Sequence, residues 1–264
     1  MPAPAVPPFD YLLLRETLGS FAPRFDVEHR QQCDSTNAQL LASPRAAGSV
    51  LVCDEQLAGR GRRGRRWVSA PGSSLTFSLL WRLPRGRSAT GLSLAVGVGI
   101  VSALETLGIE GTGLKWPNDI WLKGRKLGGV LIEALPERSN PGLVIGIGLN
   151  LRSSPGWQTE IGRTPASLDE TGPVPPRETV LAHLLKTLHV TLETFGLQGF
   201  DATQDIWNSH NALRGQQVLI SQENTEWQAE CGNVDSEGAL TLHLPDGSSR
   251  HITAGDISLI PLEP

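Results

Sequence analysis

The chain has 264 residues and a formal net charge of −4, with a pI of about 5.9. Its 39% apolar and 19% charged residues are an ordinary globular balance, and the length suits one large domain plus a small one with a sizeable core. The acidic total argues against a dedicated nucleic-acid-binding protein, and no apolar run approaches the roughly 18 residues of a membrane span.

In chain order, Met1 to Pro8 is Pro-rich and uncharged. It lacks the basic and apolar regions of a signal peptide and reads as a disordered lead-in. Asp10 caps a predicted helix that runs to Leu18 and stops at Gly19. Phe25 to His29 alternates as a strand. Asp34-Ser35-Thr36-Asn37 stands before the apolar run Ala38 to Ala42, an N-cap signature whose plain reading is a cap and nothing more. Val50 to Cys53 is apolar and β-branched, a buried strand.

Next comes Gly59-Arg60-Gly61-Arg62-Arg63-Gly64-Arg65-Arg66, five arginines and three glycines in a loop between two strands, the second being Leu75 to Leu79. Guanidiniums this close repel one another and glycines weaken a fixed backbone. The loop is therefore expected to be mobile when free and to order around an anion, which arginine forks and backbone N–H groups bind well. A solvated basic loop and a nucleic-acid contact are the competing readings. On an acidic body, a local positive patch favours a small anion. The stretch also spells G-x-G-x-x-G, but no helix opens after it and Pro84 stands where an acid is required, so the match to a dinucleotide fingerprint is accidental.

Gly91 to Leu107 is apolar nearly all round and predicts a buried helix. In Leu114 to Leu122, Pro117 predicts a break or bulge within a strand-like run, leaving Asn118 and Asp119 at an irregular point. Lys123 to Arg125 makes a turn. Lys126 with Gly128-Gly129 opens a strand through Leu135, whose hairpin partner is Leu143 to Leu151. Lys126, charged and close to Asp119 in sequence, reads equally as a site residue or an exposed turn lysine. Residues 152–176 form a polar loop. Arg177 to Phe195 has apolar residues at helical spacing, and a short helix follows over Asp201 to Ser209. From Gly215 onward short strands (218–220, 227–230, 240–244, 250–253) alternate with turns at 235–238 and 245–248, as in a small β-barrel. Cys33, Cys53 and Cys231, far apart and odd in number, read as buried small residues in a reducing compartment. The six histidines show no metal spacing, so a protein-bound structural metal is not expected.

Three blocks together carry a specific resemblance: Asp34-Ser35-Thr36-Asn37; Gln56 with the arginine loop and Trp67; and Lys115-Trp116-Pro117-Asn118-Asp119 followed by Arg125-Lys126-Leu127-Gly128-Gly129. In order and spacing the chain resembles the biotin protein ligases from about residue 25 to its end. The resemblance implies an α/β (α+β) fold: a class II aminoacyl-tRNA synthetase-like catalytic domain with a mixed sheet, and a C-terminal SH3-like β-barrel. The expected division is 1–24 as lead-in and helix, 25–212 as catalytic domain and 213–264 as the barrel.

The resemblance also implies a two-step reaction. Biotin and ATP give biotinyl-5′-AMP and pyrophosphate, and a lysine of the biotin carboxyl carrier protein of acetyl-CoA carboxylase takes the biotinyl group. Cations must hold two anions together for the first step. By resemblance Lys126, Arg62 and Asp119 are catalytic. Ser35, Thr36, Asn37, Gln56, Arg60, Gly61, Arg62, Lys126 and Gly129 bind biotin. Arg62, Arg63, Arg65, Trp67, Asn118, Lys126 and Asn150 bind ATP and the adenylate, with Trp67 on the adenine. Asp119 orients groups or helps to deprotonate the incoming lysine. Mg²⁺ accompanies the pyrophosphate, with no protein ligands assigned. Some members carry an N-terminal DNA-binding domain; the segment before Asp34 is too short for three helices. The expectation is a cytoplasmic, non-repressor enzyme that binds neither DNA nor membrane and pairs, if at all, as a homodimer through edge strands. A lipoate or octanoyl ligase of related fold is the alternative, and the arginine loop and the Lys-Trp-Pro-Asn-Asp block argue against it. A nucleic-acid-binding module is a third reading, opposed by the acidic total.

Overall fold

The computed structural model describes residues 6–43, 45–135, 142–154, 164–222, 225–253 and 257–262. Seven strands form a mixed sheet: β1 (Asp26–Cys33), β2 (Ser49–Gln56), β3 (Ser74–Arg82), β4 (Thr112–Lys115), β5 (Asp119–Leu122), β6 (Arg125–Ala134) and β7 (Gly142–Asn150), in the order β1-β2-β3-β7-β6-β5-β4. Among the described residues of this sheet β1 and β2 pair in parallel and the other neighbouring strands antiparallel. The first strand runs beyond the expected Phe25 to His29 through polar residues, because an edge strand needs no second apolar face.

Alternation along the central strands assigns each face its task. On β3, Leu75, Phe77, Leu79 and Trp81 point to the main core, as do Leu143, Ile145, Ile147 and Leu149 on β7. That core is completed by the helices α3 (Leu92–Thr106) and α4 (Arg177–Gln198). The sequence of α3 is apolar nearly all round, and the helix is buried accordingly. The opposite face is apolar at one end only, where Leu51, Leu80 and Val144 pack with Leu40 of α2 (Thr36–Ala42) and with Leu135. Further along, that face carries Thr76 and Ser78 on β3 and Gly146, Gly148 and Asn150 on β7. Small and polar residues there leave room for Asn37 and Trp67 to pack close against the sheet and for the cavity described below.

Helix α1 (Tyr11–Leu18) is capped by Asp10, whose side chain accepts from Leu13 N at 2.9 Å. The expected disordered lead-in is only partly open to description, since residues 1–5 lie outside the described residues. Pro7 of the lead-in, and Phe9 and Asp10 just after it, contact α4 and β1. Arg177 Nη2 donates to Pro7 O at 2.8 Å, Asp10 N donates to Glu178 Oε1 at 3.2 Å, and Phe9 stacks on His29. The sequence signal missed this because the partners lie on α4, far along the chain. Cys33 and Cys53, 20 residues apart in sequence, are both buried, and Cys53 Sγ donates to Glu55 O at 3.1 Å; the influence of each thiol on the other lowers the Cys33 pKa and raises that of Cys53.

His189 on α4 is buried edge-on among Phe21, Phe25 and Trp81, and its Nδ1 has no hydrogen-bond partner among the described residues. Burial, with help from Arg24, holds its pKa below the ordinary value. The unfolded chain therefore takes up the proton first. This contribution to stability is present above the unfolded pKa of about 6.5 and is lost as the pH falls toward the folded pKa. Burial lowers His183 in the same sense. Replacing His189 by Leu is expected to flatten the acid-side loss of stability, checked by denaturant melts on either side of pH 6.5.

After α5 (Gln204–Ser209), residues 210–212 run beside the edge of β4: Leu114 N donates to His210 O at 2.7 Å and Ala212 N to Leu114 O at 2.9 Å. The last region is the small all-β unit expected. It comprises β8 (Gln217–Gln222), β9 (Thr225–Val234), β10 (Leu240–His243), β11 (Ser249–Ile252) and β12 (Ile257–Pro261), an antiparallel sheet in the order β11-β10-β9-β8-β12. β12 was not anticipated. Trp116 Nε1 donates to Gly238 O at 3.1 Å, joining the Lys-Trp-Pro-Asn-Asp block to this unit.

Candidate active site

The break expected at Pro117 is a turn between two antiparallel strands, β4 and β5, with a cis Trp116–Pro117 peptide. Asn118 and Asp119 follow directly. Asn118 Nδ2 donates to Val130 O at 2.7 Å, and Val130 N donates to Asn118 O at 3.0 Å, so the turn is fastened to β6.

Lys126 owes its position to a β-bulge. Ile120 pairs with Gly128 whereas Trp121 pairs with Lys126, so Leu127 is the extra residue. In a regular strand Lys126 and Gly129, three apart, would point to opposite faces. The bulge turns Leu127 into the core and lets Lys126 and Gly129 line the same cavity. Lys126 Nζ donates to Asp119 Oδ1 at 2.5 Å. A Cβ at position 129 would lie 3.2 Å from that ammonium, so glycine lets the ion pair lie close against the sheet. The lysine is thus a partly buried, paired cation and not an exposed turn residue.

The N-terminus of α2 brings a polar cluster. Ser35 is the N-cap, and Ser35, Thr36 and Asn37 are all buried. Gln56 Oε1, at the end of β2, accepts from Thr36 N at 2.8 Å and from Thr36 Oγ1 at 3.1 Å. Ser78 Oγ lies 2.7 Å from Thr36 Oγ1 and 2.5 Å from Asn37 Oδ1.

The arginine loop takes the form of a short hairpin. Arg60 bridges Arg66, Gly61 N donates to Arg65 O at 2.7 Å, and Trp67 N to Gly59 O at 2.9 Å. Arg63 takes a left-handed conformation at its tip. Arg62 Nη1 donates to Asn118 Oδ1 at 3.3 Å, so the loop touches the β4–β5 turn. Trp67 lies flat on β7: a Cβ at position 148 would come within 2.3 Å of its ring. Its Nε1 is buried without a partner among the described residues. Gly148→Ala is expected to unseat the indole and to cost about 1–3 kcal/mol of stability, checked by denaturant unfolding. Asn150, at the end of β7, donates from Nδ2 to Ala166 O at 2.9 Å.

Every residue to which the resemblance gives a catalytic or binding role lines one cavity of about 800 Å³, within the usual range for a small-molecule site. Missed by sequence reasoning were Ser78, buried behind Thr36 and Asn37, and, in the lining itself, the glycines at 146 and 148 and Leu259 and Ile260 of β12, which close one side. Also missed was Glu133, which holds Asn37 and Arg60. A serine and a glutamate inside otherwise apolar strands were the available signals, since a buried polar group needs a reason. Among the described residues no three His, Cys, Asp or Glu side chains converge to hold a metal.

Such a cavity, with a polar recess, a paired lysine and a lid of arginines, defines a site that joins a carboxylate to a phosphate donor. Residues 27–150 match the biotin/lipoate A/B protein ligase family. The chain is 36% identical to the biotin–[acetyl-CoA-carboxylase] ligase of Mycobacterium tuberculosis, over 95% of this chain and 96% of the relative. It is 34% identical to the bifunctional ligase/repressor BirA of Escherichia coli, over 86% of this chain and 71% of the relative. Among solved structures, a biotin protein ligase from Aquifex aeolicus in complex with biotin and ATP superposes with a TM-score of 0.78 at 29% identity, covering 90% of this chain and 99% of that one. The chain belongs to the biotin protein ligases, and its mixed sheet is the class II aminoacyl-tRNA synthetase-like fold of that family.

Proposed function

We infer that the chain activates biotin with ATP to biotinyl-5′-AMP and transfers the biotinyl group to a lysine of a biotin carboxyl carrier protein, that of acetyl-CoA carboxylase. The observation that carries this reading is the gathering of a polar recess, a carboxylate-held lysine and a cluster of arginines in one cavity. In the first step a carboxylate oxygen of biotin attacks the α-phosphorus of ATP; the new O–P bond forms as the bond to pyrophosphate breaks. Both reactants are anions, so the barrier falls where fixed cations meet the charge that builds up. We assign that task to Lys126 and Arg62, with Arg63 and Arg65 on the phosphates. Asp119 aims the Lys126 ammonium.

Ser35, Thr36, Asn37 and Gln56 would take the ureido ring, whose N–H and C=O groups suit a recess of hydroxyls and amides. Arg60, Gly61 and Gly129 border the carboxylate. The adenine is assigned to Trp67, with Asn118 and Asn150 at its edge. In the second step the carrier amine attacks the carbonyl carbon of the mixed anhydride, a C–N bond forms, the C–O bond breaks and AMP leaves. Asp119 is the acceptor we assign to the proton given up by the amine. Mg²⁺ would ride on the phosphates of ATP. We take residues 25–212 as the catalytic domain and 213–264 as the C-terminal domain, with the site walled by both. No helix among the described residues is long and apolar enough to cross a membrane, and we place the enzyme in the cytoplasm, with its carrier.

The test is pyrophosphate release measured with ATP and, in turn, biotin, lipoate and octanoate. Release with biotin alone is expected. Release with lipoate or octanoate and none with biotin would assign the chain to the other branch of its family.

A further inference from the structure

We propose that Glu133 is a positioning residue that couples the polar recess to the arginine loop by holding Arg60. The proposal rests on the reading of the cavity as the biotin and adenylate site. Glu133 is the one charged side chain in the apolar run Val130 to Leu135 of β6. It sits opposite Val144 on the next strand. A single oxygen, Oε2, accepts from two donors on different elements: Asn37 Nδ2 of α2 at 2.8 Å and Arg60 Nη2 of the loop at 2.9 Å.

From Asn37 the contacts continue inward. Asn37 Oδ1 meets Ser78 Oγ, which meets Thr36 Oγ1, which donates to Gln56 Oε1. One hydrogen-bonded chain therefore runs from the bottom of the recess to the root of the loop, and Glu133 is its last link. The Arg60–Glu133 pair is part-exposed, with side chains 41% and 28% accessible. A pair so exposed adds little to overall stability, so its worth lies in where it holds the loop. The hydroxyl of Ser78 has one proton and two acceptors beside it. A ligand entering the recess redistributes those bonds and thereby changes the grip of Asn37 on Glu133. At the other end, the carboxylate of an acid substrate is a second partner for Arg60. With Glu133 in place Arg60 stays turned over the cavity, and the loop starts from a closed position.

Without Glu133, Arg60 loses its anchor and the hairpin lifts more often. Glu133→Ala is expected to raise the dissociation rates of biotin and biotinyl-AMP and the KM for biotin by about tenfold, the loss of roughly one charge-assisted hydrogen bond, with the smaller effect on kcat. Glu133→Gln keeps the side-chain volume and a neutral acceptor, and is expected to fall between the wild type and Glu133→Ala. It also serves as the well-packed variant should the alanine protein fold poorly. The deciding experiment is a double-mutant cycle: dissociation of biotinyl-AMP, formed in place from biotin and ATP, from wild type, Glu133→Ala, Arg60→Ala and the double variant. If Glu133 acts through Arg60, Glu133→Ala adds little once Arg60 is gone. Full additivity would mean that Glu133 only packs against Asn37 and would overturn the proposal, as would an unchanged dissociation rate in the Glu133 variants. A wild-type protein that forms no biotinyl-AMP would instead overturn the assigned function.

Discussion

Lys126→Ala is expected to lower the rate of biotinyl-AMP formation by about 10²–10³-fold, the usual cost of removing one preorganised donor from a developing anion. Three features make this the largest single effect. The ammonium is fixed by Asp119 at 2.5 Å, so it needs no reorganisation when charge builds on the phosphoryl oxygens. The bulge at Leu127 aims it into the cavity, and neighbouring strands hold that bulge on both sides. Removing it also leaves the Asp119 carboxylate without its cation, a negative charge facing two anionic substrates. Single-turnover release of pyrophosphate checks the prediction. A loss confined to KM would mean that Lys126 only binds substrate and does not stabilise the transition state.

Arg62→Gly is expected to release biotinyl-AMP about 10- to 100-fold faster, the worth of one or two hydrogen bonds from a charged group. Arg62 joins the loop to the β4–β5 turn through Asn118. A glycine keeps neither this contact nor the positive charge on the linkage between the acyl and phosphate groups. The mixed anhydride is reactive, and a closed lid excludes water and stray amines from it. A leaking variant should therefore label bystander proteins on surface lysines. Gel filtration of the enzyme after adenylate formation measures retention, and a bystander labelling assay reads the consequence. Full retention of the intermediate would contradict the role given to the loop.

Most of the fold is readable in the sequence because its elements are marked locally. Asp10 and Ser35 cap helices, the apolar surface of α3 demands burial, and Asp-Ser-Glu-Gly and Pro-Asp-Gly-Ser mark the turns of the C-terminal sheet. The chemistry-bearing residues are legible for a different reason. Five clustered arginines and a lysine at the head of a buried strand are costly unless anions or carboxylates answer them, so they stand out. What stays hidden depends on partners distant in sequence. Pro7 and Asp10 are held by Arg177 and Glu178. The bulge at Leu127 is invisible to periodicity because it is one extra residue in a run that already reads as apolar. Ser78 and Glu133 look like breaks in a strand pattern until the sheet sets them beneath α2 and the loop. The hairpin geometry of residues 59–67 is hidden for the same reason: Glu133 and Asn118 supply acceptors for Arg60 and Arg62 that no local pattern reveals.

The measurement that bears most directly on the central claim is mass spectrometry of an apo biotin carboxyl carrier domain after incubation with the protein, biotin, ATP and Mg²⁺, beside a Lys126→Ala control. The account predicts that the carrier gains the mass of one biotinyl group on a single lysine, and that the gain disappears in the control. A gain that survives Lys126→Ala would keep the enzyme and overturn its site, and a carrier that stays unmodified with the wild-type protein would contradict the account itself.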